Sequence, residues 1–369
     1  MQASSSQPTP PLESSPSKGW IGWGLLAVIV GWNLPHAAVQ SDDPYAVVRG
    51  MTISCPGDGL IWGTDQMVQT MQELKEIGVN WITIHPYAEI SGDGTVGGKG
   101  IDRMYRDTTW LTRPIAEAHR LGLKIMIKPH LAYWGSPFGW RGEISFDSEE
   151  EWQRFFETYE VWITQVAELC RDADGFVVGT ELDRTVHHEQ RWRQVIEGVR
   201  KRTEAPLTYS ASWDTYEQVP FWDALDVIGI QAYFPLVDHE QLPSQQELDE
   251  AWARLIRRLE SYGSAHHRQI VLGELGYNLS AIAALRPWDY RQGGDHAGEV
   301  QRRCLSAALQ AIEGSDTVVG AFLWKWFPNH DTRWRRNFLK STPAMRAVIS
   351  DHWGDGLEPV PVDKVGGTD

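Results

Sequence analysis

The chain has 369 residues, 42% of them hydrophobic, with 34 Lys and Arg against 49 Asp and Glu and a formal net charge of −15. A surface of that sign repels phosphate, which excludes nucleic acid and anionic membrane as the natural partner, and the apolar content excludes disorder for the bulk of the chain. Three cysteines, Cys55, Cys170 and Cys304, cannot build a disulfide framework, and no Cys-x-x-Cys or Cys/His spacing of a zinc site occurs. The 19 tryptophans exceed ordinary usage, which points to stacking on flat, half-apolar rings as well as to packing.

In chain order, residues 1–18 are rich in Ser and Pro and read as a disordered leader. Residues 19–40 read as a signal peptide or signal anchor, because the apolar run 19–34 follows Lys18, is short for a mature spanning helix, and exits through Ala37 and Ala38. The expectation is an extracytoplasmic protein, secreted, periplasmic or tethered to the membrane through 19–34. From residue 45 on, β-rich runs at 45–54, 79–88, 123–134, 174–185, 207–216, 226–236, 269–277 and 318–328 alternate with amphipathic stretches. Helical spacing is read at 65–77, 109–121, 149–170, 189–202, 246–262 and 298–313. Gly78 and Gly122 stop their helices, and Ser148 before three glutamates is an N-cap over an acidic first turn. The pattern predicts an α/β fold, a single (β/α)8 barrel over 45–353, followed by a tail at 354–369. Gly97-Gly98-Lys99-Gly100 is read as a flexible turn in a polar loop, not a phosphate site.

In such a barrel the C-terminal ends of the strands build the active site. Polar or aromatic residues fall there in number: His85, Tyr87, Lys128, His130, Glu181, Asp183, Trp213, Asp214, Gln231, Tyr233, Glu274, Trp324 and Trp326. With a side-chain period of two, Lys128/His130, Glu181/Asp183, Gln231/Tyr233 and Trp324/Trp326 each share a strand face, taken as the inward one. Glu181 and Glu274 stand out because each ends an apolar run, on the fourth and seventh strands. A lone buried carboxylate is costly, so two facing one cleft suggest acid/base or nucleophilic work. The plainer alternative is a core ion pair for each, with Lys128 or Arg49 as partner.

Trp62, Trp134, Trp140, Trp213 and Trp288 fall in or beside loops that follow strands, where they could stack on sugars, whereas Trp152, Trp162, Trp192 and Trp252 have the helical spacing of packing residues. His85 and His130 invite a zinc reading. The first strand lacks a His-x-His and Lys128 would repel a cation, so neither metal nor cofactor is predicted.

The segments Ile-Lys-Pro-His130, Trp134, Trp140-Arg-Gly-Glu-Ile, Val-Gly-Thr-Glu181-Leu, Gly-Ile-Gln-Ala-Tyr233-Phe-Pro and Gly-Glu274-Leu-Gly-Tyr together resemble glycoside hydrolase family 113. That family belongs to the large clan of retaining β-glycosidases, and its characterised members are β-1,4-mannanases. The resemblance spans 47–328 and implies Glu181 as acid/base, Glu274 as nucleophile, Tyr233 as the hydroxyl orienting the nucleophile, and Trp324 or Trp326 as the platform under the reacting sugar. His85, Lys128, His130, Trp134, Trp140, Arg141, Trp213, Tyr233, Trp324 and Trp326 are accordingly the expected substrate-binding set. Where many clan members hold the sugar 2-hydroxyl with an Asn before the acid/base, this chain has Thr180. The expected function is double-displacement hydrolysis of a β-linked oligosaccharide or polysaccharide, most nearly of the endo-β-1,4-mannanase kind. The alternative is a carbohydrate-binding pseudoenzyme that keeps the cleft without turnover.

Overall fold

The computed structural model describes residues 45–354, apart from 46, 56, 105, 290–292 and 329–341. The leader, the signal or anchor segment and all but the first residue of the tail lie outside the described residues. In chain order the elements are β1 (Val48–Ile53), α1 (Asp65–Lys75), β2 (Trp81–Ile84), β3 (Tyr87–Ile90), β4 (Val96–Gly97), α2 (Lys99–Met104), α3 (Thr109–Arg120), β5 (Lys124–Ile127) and β6 (His130–Ala132). There follow α4 (Glu149–Leu169), β7 (Gly175–Thr180), α5 (Glu189–Arg200), β8 (Leu207–Ser212), β9 (Ile228–Gln231), α6 (Gln245–His266), β10 (Ile270–Leu275), α7 (Ala297–Glu313), β11 (Val318–Trp326) and α8 (Pro343–Trp353).

Eight parallel strands close into a barrel in the order β1, β2, β5, β7, β8, β9, β10, β11, so β7 and β10 are the fourth and seventh staves. Each stave is shorter at its C-terminal end than the apolar runs suggested, or is broken there. The run after β2 and the run after β5 break at Pro86 and Pro129, whose missing amide hydrogens cannot serve a ladder, and resume as β3 and β6. There β3 pairs with β6 on one side and with β4 on the other, in a small sheet separate from the barrel. The Gly97–Gly100 segment is more ordered than a flexible turn: Gly97 ends β4, and Gly100 lies in the first turn of α2.

Between β8 and β9 no α-helix forms. Two short 3-10 turns there, Tyr216–Gln218 and Trp222–Ala224, cover the barrel with buried Tyr216, Phe221 and Trp222, and Phe221 stacks on Trp192 of α5. Elsewhere the helices follow from their patterns. Ser148 and Glu151 form a reciprocal capping box at the start of α4, whose Trp152, Phe155, Phe156, Tyr159, Trp162, Ile163 and Val166 recur at helical spacing on the buried face. Trp162, Trp192 and Trp252 are fully buried, as their spacing predicted. Among the described residues no helix is long and apolar enough to cross a membrane.

The barrel interior is graded. Val48, Trp81, Met126, Val177, Val227, Val271, Val319 and Phe322 make an apolar cluster, while Thr52, Thr83, Ser210, Gln231 and Glu274 on the staves, and Lys128 just past β5, are buried polar groups. The polar end therefore coincides with the strand C-termini, where the site forms.

Gly78 ends the α1 turn at φ 87°, and a Cβ there would sit 2.0 Å from the Trp353 carbonyl oxygen of α8. Gly78→Ala should combine left-handed strain with a backbone clash and cost at least about 2 kcal/mol. Thermal unfolding should show a melting temperature lowered by several degrees; an unchanged value would contradict this packing of α8 on the first helical turn end.

Candidate active site

Glu181 is the residue immediately after β7, and its backbone is left-handed at φ 52°, a conformation rare for a side chain of this size. Its N–H donates to the Ser210 carbonyl at 2.9 Å, the next N–H, of Leu182, donates to the Tyr209 hydroxyl at 2.9 Å, and Thr180 Oγ1 donates to the Pro129 carbonyl at 3.1 Å. These bonds on three consecutive residues fix the turn. Arg141 reaches the carboxyl from a 3-10 turn after β6: Nη1 donates to Glu181 Oε2 at 2.9 Å, and Nε donates to the Leu131 carbonyl at 3.2 Å. Burial nevertheless dominates. It pushes the Glu181 pKa up to about 7 against the pull of Arg141, and the negative charge of Glu274 adds to the rise.

Glu274 is the penultimate residue of strand β10, with both carboxylate oxygens engaged. Lys128, wholly buried, donates from Nζ to Oε1 at 2.7 Å and to the Gly273 carbonyl at 3.0 Å, and the Tyr233 hydroxyl donates to Oε2 at 2.7 Å. His130 Nε2 stands 3.8 Å from Oε1, and its ring stacks on that of His85, with centroids 5.2 Å apart. Burial, reinforced by nearby cations, holds both imidazoles well below their usual pKa, so they are neutral at pH 7. His85 Nε2 lies 3.1 Å from Ser54 Oγ.

Both carboxyls open onto a cleft of about 860 Å³. Of the sequence-expected binding residues, Trp134, Trp140, Arg141, Trp213, Tyr233 and Trp324 line it. Trp134 is 64% exposed and leans on Tyr87, while Trp213 stacks on Trp288 at 5.4 Å and 12°, so aromatic side chains from three loops, after β6, β8 and β10, wall the cleft. His85, Lys128 and His130 do not reach the cleft surface; they stand buried behind it as a layer against Glu274 and Trp324.

Trp326 is also elsewhere. It is buried in the core under the Arg346 guanidinium at 4.6 Å. Met51 pairs with Leu323 but Ile53 with Trp326, so β11 carries one extra residue against β1, and such a bulge breaks the two-residue alternation that grouped Trp326 with Trp324. The same irregularity brings Lys325 to the cleft, a residue that strict alternation assigned to the opposite face. Tyr133, Gly139, Ser212 and Asp289 also line the cleft without having been singled out in the sequence; Tyr133 follows β6, whose pairing outside the barrel no period revealed.

Asp183 does not share the inward face with Glu181. It begins a 3-10 turn, accepts from Ser212 Oγ at 3.0 Å, and faces an adjoining groove of about 670 Å³ that meets the cleft at Trp140 and Asp214. Trp62 is buried, donating to the Ile53 carbonyl at 3.1 Å, and is not on the rim. Arg49, the other cation weighed as a carboxylate partner, donates to the Trp353 carbonyl instead. Among the described residues no three His, Cys, Asp or Glu side chains are grouped to hold a metal ion.

An eight-stranded barrel with a glutamate at the ends of its fourth and seventh staves, facing an aromatic cleft, is the architecture of the (β/α)8 glycoside hydrolases. The chain belongs to Glycoside Hydrolase Family 113, whose profile matches residues 51–336. Among solved structures it is similar to the GH113 β-mannanase AaManA from Alicyclobacillus acidocaldarius, at 25% identity and a TM-score of 0.71, over 84% of this chain and 97% of that one. A second GH113 β-1,4-mannanase shares the fold at 22% identity and a TM-score of 0.71, over 84% and 99% of the two chains. A β-glucuronidase from Ruminococcus gnavus does so at 13% identity and 0.55, over 84% of this chain and 50% of that one. No curated protein sequence matches the chain.

Arg141 is the nearest cation on Glu181, so Arg141→Met should raise the Glu181 pKa above its value of about 7, by about one unit or more. Infrared difference spectra across a pH titration, with Glu181→Gln subtracted to isolate the band, read this directly. A fall, or no change, would contradict the balance of burial against the Arg141 charge.

Proposed function

We propose that the protein is a retaining hydrolase of β-linked glycans of the β-1,4-mannan kind, acting by double displacement with Glu181 as acid/base and Glu274 as nucleophile. The observation that carries the reading is the opposite environment of two glutamates facing one cleft: Glu274 is held by a buried ammonium and a phenol, and Glu181 has a pKa lifted to about 7. In the first step Glu181 gives its proton to the glycosidic oxygen as that bond breaks, and a Glu274 oxygen bonds to the anomeric carbon. The glycosyl ester removes the charge on Glu274, and with it the repulsion that helps keep Glu181 protonated. Glu181 then takes a proton from water, whose oxygen displaces Glu274 and restores both residues. Tyr233 orients Glu274 through its bond to Oε2. Trp324 serves as the platform for the reacting sugar, with Trp134 and the Trp213–Trp288 pair for its neighbours along the chain.

The apolar run 19–34 after Lys18 supports a location outside the cytoplasm. The 25% identity to a β-mannanase over most of both chains supports mannan as the substrate type.

A panel of activated aryl β-glycosides tests the activity, and binding without release in every case would favour a sugar-binding protein over an enzyme. On a cleaved substrate, kcat/KM should fall as pH rises through about 7, because the general acid loses its proton there. Tyr233→Phe should lower kcat about tenfold or more. Glu274→Gly with azide should yield the α-glycosyl azide by one displacement, and Glu181→Gly the β-glycosyl azide by two. The opposite pairing of products would reverse the two roles.

A further inference from the structure

The cleft contains one cation that the two glutamates leave over. Lys128 is bound by Glu274, and Arg141 by Glu181. Lys325 lines the cleft with its Nζ 4.5 Å from the Trp324 ring centroid and 5.3 Å from that of Phe327. Among the described residues that ammonium has neither a hydrogen-bond acceptor nor an ion-pair partner. The titratable groups that bear on it most strongly are Glu274 of β10, Cys55 beyond β1, Arg141 beyond β6 and Lys128 beyond β5. Glu274 has both oxygens occupied, at 2.7 Å each, and burial pushes the Cys55 thiol up to about 11, so it is neutral. Lys128, Arg141 and Lys325 thus stand around the two glutamates, and burial keeps Glu181 partly protonated. Lys325 is half-buried at the cleft wall, and aromatic faces compensate an ammonium only in part.

We propose that Lys325 binds an anionic substituent on the sugar that stacks on Trp324, so that the β-linked substrate is an acidic glycan carrying a uronosyl residue. A carboxylate at C-6 supplies the missing acceptor and the missing charge together, whereas a neutral hydroxymethyl group supplies only the first. The inference rests on Trp324 as the sugar platform, which belongs to the proposed function. Burial brings the Lys325 pKa down to about 8, so the ammonium is fully charged at pH 6 and is lost as pH rises through 8. Asp214 and Asp289 also line the cleft, on the loops that carry Trp213 and Trp288.

The test is binding, measured by calorimetry on full-length Glu181→Gln protein so that ligand is not consumed. The probes are a β-1,4-linked mannuronate oligosaccharide and the neutral manno-oligosaccharide of equal length, which differ only at C-6. At pH 6 the acidic ligand should bind about tenfold more tightly or better, and the preference should shrink as pH passes from 7 to 9. Adding Lys325→Met should weaken the acidic ligand about tenfold and the neutral one by less than about threefold, with an unchanged melting temperature as the check on folding. Equal or weaker binding of the acidic ligand, binding of neither, or parallel losses for both in Lys325→Met would overturn the proposal. Turnover is not part of this readout, so failure of the hydrolytic mechanism would show in the aryl glycoside assays and leave the comparison legible.

Discussion

The site depends on keeping a carboxylate charged where water scarcely reaches. Glu274 is nearly buried, and the Lys128 ammonium that faces it is fully so, at 2.7 Å. Removing one partner of such a pair would leave an uncompensated charge, at a cost of about 3–5 kcal/mol, so each residue dictates the other. The surroundings follow from that pairing. Gly273 leaves room on the barrel axis for Ser210 and Gln231 and offers its carbonyl to Lys128; Tyr233 completes the second carboxylate oxygen; and the stacked, neutral His85 and His130 fill the space behind without adding charge.

Glu181 is built on the opposite principle. Its partner, Arg141, arrives from a loop and not from a barrel stave, and the left-handed backbone after β7 turns the side chain into the cleft. A loop-borne guanidinium stabilises the ionised form less than burial destabilises it, which leaves a carboxyl that can both hold and release a proton near neutrality. Two identical residues therefore differ because one is anchored to the rigid interior and the other to its rim. Lys325 adds a third element at the rim, a charge that awaits its counterpart in the occupant of the cleft.

Alternating apolar strands and helices revealed the eight staves, and the Gly-Thr-Glu181 and Gly-Glu274 endings revealed the positions of both glutamates, because a charged residue closing an apolar run has few structural explanations. What stayed hidden lay where local periodicity and three-dimensional placement part company. The extra residue of β11 moved Trp326 into the core and brought Lys325 to the surface, and such a bulge depends on the pairing with β1, not on the β11 sequence. Pro86 and Pro129 were visible, but not that the chain beyond them would pair in a second small sheet and set Tyr87 and Tyr133 at the cleft. The crossover from β8 to β9 lacks a helix because large rings at Tyr216, Phe221 and Trp222 cover the barrel in its place, a substitution of volume that no helical period signals.

The central claim is that Glu274, charged and held by Lys128 and Tyr233, forms a bond to the anomeric carbon. Incubation with a 2-deoxy-2-fluoro β-glycosyl fluoride, whose fluorine slows the second displacement more than the first, followed by proteolysis and mass spectrometry, reads that bond directly. The expected result is one added glycosyl unit per chain, mapped to the β10 peptide and to Glu274, with none in Lys128→Met protein under the same conditions. A label on Glu181 or Asp183, or steady turnover with inversion and no label at all, would contradict it.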